Sequence, residues 1–106
     1  MKVLWTPTAR TTYLEIIEYF EENWSNREIL RFNSKVEKTI KQIEKNPRLF
    51  VASKHDENIR RGFVVKQISL IYRIVPEKNQ IHLIAFWDNR RNPKNLKYLL
   101  QKKKLQ

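Results

Sequence analysis

The period at which apolar side chains recur changes once along this chain, near residue 60, and that change decides what it can build. Before it, Tyr13, Ile16, Ile17, Phe20 and Trp24 fall at helical spacing, and so do Ile29, Phe32, Val36, Ile40 and Ile43. After it, the pattern alternates: Ile68, Leu70, Tyr72 and Ile74 share one face of a strand, and Ser69, Ile71, Arg73 and Val75 the other. Residues three or four apart line one side of a helix, whereas every second residue lines one side of a strand. A helical half followed by a β half leaves one economical arrangement, a helical hairpin laid on one face of a sheet.

The punctuation supports this order. Lys2–Thr6 reads as a short first strand. Thr6 before Pro7 is an N-cap followed by proline at the first helical position, opening a helix over 7–23. Ser25 or Asn26 can cap a second helix, which Asn46-Pro47 stops because the residue before proline is pushed out of the helical region. Residues 48–59 read as a polar connection whose Leu49 and Phe50 tuck beneath the helices. Gly62–Lys66 pairs with Ile68–Val75 through a tight turn at Lys66-Gln67. Pro76–Asn79 turns the chain into a last strand, Ile81–Trp87.

On alternation, that last strand puts Ile81, Leu83, Ala85 and Trp87 on one face and His82, Ile84 and Phe86 on the other. Both faces are apolar, so the strand belongs inside the sheet. Residues 94–104 read as a short helix or a basic tail. The expected fold is α+β: an N-terminal strand, an antiparallel helical hairpin, and a four-stranded, mainly antiparallel sheet. One domain spans 1–106.

Charge is the second constraint. The chain carries +11, yet residues 1–30 hold five acidic side chains against three basic ones, so the whole excess lies further on. Such asymmetry points to an anionic partner, nucleic acid or an acidic protein segment. Cysteine is absent, which excludes thiol chemistry. His55 and His82 lack metal-ligand spacing, and no cofactor motif occurs, so no metal or cofactor is expected. With no signal-like start and no apolar run of membrane length, the expectation is a cytoplasmic protein with no membrane partner.

The cations expected on the sheet side are Lys54, His55, Arg60, Arg61, Lys66, Arg73, Arg90 and Arg91, with Tyr72 and Trp87 as aromatic neighbours. Arginine binds phosphate bidentately and aromatic rings stack on bases, a set suited to nucleic acid. Each has a plainer role too: Tyr72 and Trp87 as core, Lys66 as a hairpin lysine, His82 as a structural histidine.

The ordered segments IEKNPRLF, RRGFVVKQ, ISLIYRIV and LIAFWDNRRNP, after a first strand, resemble the RelE/ParE superfamily of toxins from type II toxin–antitoxin pairs. The resemblance covers roughly residues 1–100. It implies a growth-arresting toxin neutralised by a cognate antitoxin with an acidic segment. The target is either ribosome-bound mRNA, cut by RelE-like endoribonucleases, or DNA gyrase, poisoned by ParE-like members. A RelE-like site implies Arg90, Lys66 and Arg73 as catalytic candidates. Ser69 stands where that family carries an arginine, and Arg73 is the candidate replacement. Target contacts are expected from Lys54, Arg60, Arg61, Trp87, Arg90 and Arg91. The departures from the RelE pattern favour the ParE-like alternative.

Overall fold

The computed structural model describes residues 1–90. Strand β1 (Lys2–Trp5) leads into helices α1 (Pro7–Asn23) and α2 (Asn26–Lys45). Strands β2 (Val51–Ala52), β3 (Ile59–Val65), β4 (Ile68–Val75) and β5 (Gln80–Asp88) follow. The expected caps are present. Thr6 Oγ1 accepts a hydrogen bond from the Ala9 amide, and Ser25 and Glu28 form a reciprocal capping box. Asn79, in the left-handed region at φ 53°, reverses the chain after the single 3₁₀ turn Pro76–Lys78.

The strands form one sheet in the order β1-β5-β4-β3-β2, with β1 parallel to β5 and the other neighbours antiparallel. Five strands stand where four were expected. The addition is β2, a two-residue strand inside the supposed polar connection. β3 also begins earlier, at Ile59. Phe50 does pack against the core, but Leu49 is 53% exposed and does not tuck under the helices.

The helices cover one face. Phe20, Phe32, Val36 and Ile43 meet Ile68, Leu70, Tyr72, Ile74, Ile81, Leu83 and Phe86 in the main core. Phe20 stacks on Trp24 at 3.8 Å and stands edge-on to Phe32 at 5.1 Å. No helix among the described residues is long and apolar enough to cross a membrane.

Strict alternation in the last strand fails, and the cause is a β-bulge. Ile71 pairs with Ala85 but Tyr72 pairs with Leu83, so Ile84 is an extra residue. The inserted residue reverses the faces beyond it. Ile81, Leu83 and Phe86 enter the helix-side core, while Ile84, Ala85 and Trp87 join Ile59 and Ile71 in a second buried layer. The backbone edge left where β1 ends is covered by α1. Thr6 Oγ1 donates to the Leu83 carbonyl at 2.8 Å, and the Phe86 amide donates to Thr12 Oγ1 at 2.9 Å.

Candidate functional site

Cross-strand partners point to the same side of a sheet. The face away from the helices therefore carries Ile59, Arg61 and Phe63 from β3, Arg73, Ile71 and Ser69 from β4, and His82, Ala85 and Trp87 from β5. Its middle is apolar and buried; its polar groups sit at two ends.

The end nearer the β3–β4 turn holds a closed hydrogen-bonded triangle. Arg61 Nε donates to Ser69 Oγ at 3.1 Å, Arg61 Nη2 to Asn89 Oδ1 at 2.7 Å, and Ser69 Oγ to the same Asn89 oxygen at 2.7 Å. Asn89 is itself anchored: its amide donates to the Gln67 carbonyl at 2.7 Å, and its Nδ2 to the Lys66 carbonyl at 3.1 Å. The Arg61 guanidinium lies over the Phe63 ring, 5.3 Å from its centroid. Ser69 and Asn89 were not among the expected site residues. The signal that finds them is register, because Ser69 is buried where a strand's polar residue needs a partner.

The opposite end holds Arg73 and, across from it on β5, His82. His82 shares a hydrogen bond with Gln80 at 3.0 Å. Burial, aided by Arg73 and Lys78, holds its ring below the usual histidine range. Arg73 lies four strand positions from Ser69, roughly 13 Å. Arg61 from β3, rather than Arg73, brings its guanidinium to Ser69.

The remaining candidates have separate places. Arg60 points to the helix side beside Tyr72 and clips the preceding loop. Its Nε donates to the Glu57 carbonyl at 2.9 Å, and its Nη1 to the Arg48 and Phe50 carbonyls at 3.0 Å each. Trp87 is buried in the second apolar layer, and Tyr72 is buried with its hydroxyl donating to the Pro47 carbonyl at 2.7 Å. Lys54 and Lys66 are exposed, in the β2–β3 connection and the β3–β4 turn respectively.

Arg90 turns toward α1. Its Nε and Nη2 donate to the two Asp88 carboxylate oxygens at 3.0 and 2.7 Å, and the guanidinium lies 5.8 Å from the Tyr19 ring centroid. Its hydrogen bonds to the Asp88 carboxylate push its pKa further above the ordinary arginine value. Arg91 and the expected C-terminal helix or tail lie outside the described residues. The structure thus joins Arg61 to Ser69 and Asn89, but it does not join Lys66, Arg73 and Arg90 into one array.

Comparison with known proteins agrees with this fold. The YoeB/ParE toxin from Agrobacterium tumefaciens superposes with a TM-score of 0.60 at 15% identity, covering 83% of this chain and 98% of that one. The YoeB dimer from Staphylococcus aureus gives 0.52 at 17% identity, covering 80% of this chain and 92% of its own. No curated protein matches. A family model described as the ParE toxin of the type II toxin–antitoxin system parDE matches residues 3–93, nearly all that the structure describes. By that match the chain belongs to the ParE toxin family of type II toxin–antitoxin systems.

Proposed function

We propose that this chain arrests growth by binding DNA gyrase, and that a cognate antitoxin with an acidic segment holds it inactive. One observation carries the choice of binding over cleavage. Cutting RNA by general acid–base chemistry needs a proton acceptor and a donor on either side of one phosphate. On β5 the titratable side chains His82 and Asp88 pair with Arg73 and Ile68, five residues apart on β4 and so roughly 17 Å, and they point to opposite faces of the sheet. His82 is engaged by Gln80, and Asp88 by Arg90. Exposed apolar side chains beside a held cation, Val51 and Phe63 next to Arg61, suit contact with a protein surface. Gyrase as the target would place the action in the cytoplasm.

The test is a supercoiling assay with purified chain and gyrase from a bacterium in which expression arrests growth. Inhibition at a near-stoichiometric ratio is expected. Intact growth arrest with unimpaired supercoiling would reject the gyrase reading. A second reading, cleavage of ribosome-bound mRNA, is favoured by the Arg61 guanidinium held on the face away from the helices. Pulse-labelling after induction separates the two: DNA synthesis falls first under the gyrase reading, protein synthesis first under the second.

A further inference from the structure

Arg61 is set apart from its neighbours by what holds it. Arg60 is spent on backbone carbonyls and Arg90 on a carboxylate, but Arg61 is fixed by two neutral side chains, Ser69 and Asn89. Among the described residues no carboxylate pairs with it. A guanidinium has five N–H donors, and the triangle engages two of them, so the outer part of the fork keeps its donors and its full charge. The side chain is already ordered, so an incoming oxyanion meets a positioned fork.

The flanks are apolar and uncovered. Val51 on β2 is the cross-strand partner of Arg61 and is 77% exposed; Phe63, two residues along β3, is 60% exposed. β2 is also the outermost strand of the sheet, so the patch is reached from the side. The exposed Lys54 and Lys66 lie beyond the two ends of β3.

We propose that Arg61, flanked by Val51 and Phe63, is the docking point for an acidic peptide segment of a partner protein. A carboxylate of that segment accepts two hydrogen bonds from Arg61, and apolar side chains beside it cover Val51 and Phe63. Lys54 and Lys66 steer the approach of its other acidic groups. Charge complementarity with a +11 chain selects an acidic occupant. The exposed valine selects a peptide over nucleic acid, since it offers no ring for a base to stack on and burying it rewards an apolar side chain. The inference rests on the reading that this toxin works through protein contacts, and it adds the chemistry of one such contact.

The experiment is an NMR titration of the full chain at low salt, following the Arg61 Nε–Hε signal and the methyl and ring signals of Val51 and Phe63. The probes are a synthetic peptide alternating glutamate and leucine, an oligoglutamate, and an oligouridylate of equal charge. The alternating peptide is expected to shift all three residues and to bind several-fold more tightly than oligoglutamate. Arg61→Gln should weaken it about tenfold, as loss of a charge-assisted bidentate contact does. Arg61→Lys, which keeps the charge without the fork, should recover little of that loss and serves if the glutamine variant does not fold. Shifts confined to other residues would overturn the proposal, as would oligouridylate binding at Arg61 as tightly as the alternating peptide. Supercoiling inhibition is measured on the same wild-type sample. Loss of the docking site alone is then distinguishable from loss of the gyrase reading.

Discussion

Replacing Gly62 by alanine tests whether the ring of Phe50 dictates glycine at the centre of β3. The backbone there is outside the left-handed region, so alanine is conformationally allowed. Space is the obstacle: a methyl carbon on residue 62 would lie 2.9 Å from Cγ and Cδ2 of Phe50 and 3.0 Å from its Cδ1. Carbon atoms settle at about 3.5–4.0 Å, so ring or strand must retreat by about 0.5–1 Å. The ring has little room, because it stands edge-on to Tyr72 at 6.5 Å while its own carbonyl holds Arg60. Overpacking of this kind costs about 1–3 kcal/mol. Alanine returns about 0.5–1 kcal/mol by restricting the unfolded chain. The expected net effect of Gly62→Ala is a loss of about 0.5–2 kcal/mol.

The assay is urea unfolding of the single variants Gly62→Ala and Phe50→Ala and of the double variant. With the ring removed only the entropic gain remains, so in the Phe50→Ala background the same change should stabilise by about 0.5 kcal/mol. The sign therefore reverses between backgrounds. Equal destabilisation in both would refute the steric argument, since the glycine would then answer to something other than Phe50.

Three further outcomes are expected. Thr12→Val removes the acceptor of the Phe86 amide beside the bulge. It should cost about 1–3 kcal/mol and speed hydrogen exchange at Phe86 ahead of its β5 neighbours. Ser25→Ala deletes half of the capping box and should cost about 1 kcal/mol in thermal or urea unfolding. Tyr72→Phe removes the bond to the Pro47 carbonyl, costing about 1 kcal/mol at neutral pH. It should also change the alkaline limb of stability. Burial pushes the Tyr72 phenol up to about 12. The fold holds the neutral form, so its contribution is complete below the unfolded value near pH 10 and falls away as the pH rises toward 12. Unfolding midpoints between those pH values should fall more steeply for the parent than for the variant.

The helical hairpin was legible in the sequence because its signals are redundant. Thr6-Pro7, the cap offered by Ser25 or Asn26, and Asn46-Pro47 bracket two apolar stripes that agree with them. β4 was equally clear, since Arg73 and Ser69 interrupt the apolar residues on one face only. β5 was not. Every residue from Leu83 to Trp87 is apolar, so an inserted Ile84 leaves no mark on the pattern, and only the pairing register exposes the reversal. β2 was hidden by its two-residue length. The adjacent arginines of β3 look alike in sequence, yet pleating sends Arg60 to the loop carbonyls on the helix side and Arg61 to the face away from the helices. In the sequence Ser69 looks like an absence, a missing arginine. Its hydroxyl instead bridges Arg61 and Asn89, residues separated from it by 8 and 20 positions.

The parallel pairing of β1 with β5 has a temporal consequence. Lys2 lies beside Gln80, so among the described strands the first made is seated by the last. Thr6 and Thr12 also find their β5 partners only then. A growing chain has its helices early, but it has no sheet edge to receive β1 until β5 has been synthesised. Contacts so distant in sequence slow folding and leave apolar surface exposed meanwhile. A product that stops short of β5 lacks the main seat of α1 as well as that of β1. Toxicity should therefore emerge abruptly once β5 has been translated, and fragments released earlier should be harmless and readily degraded.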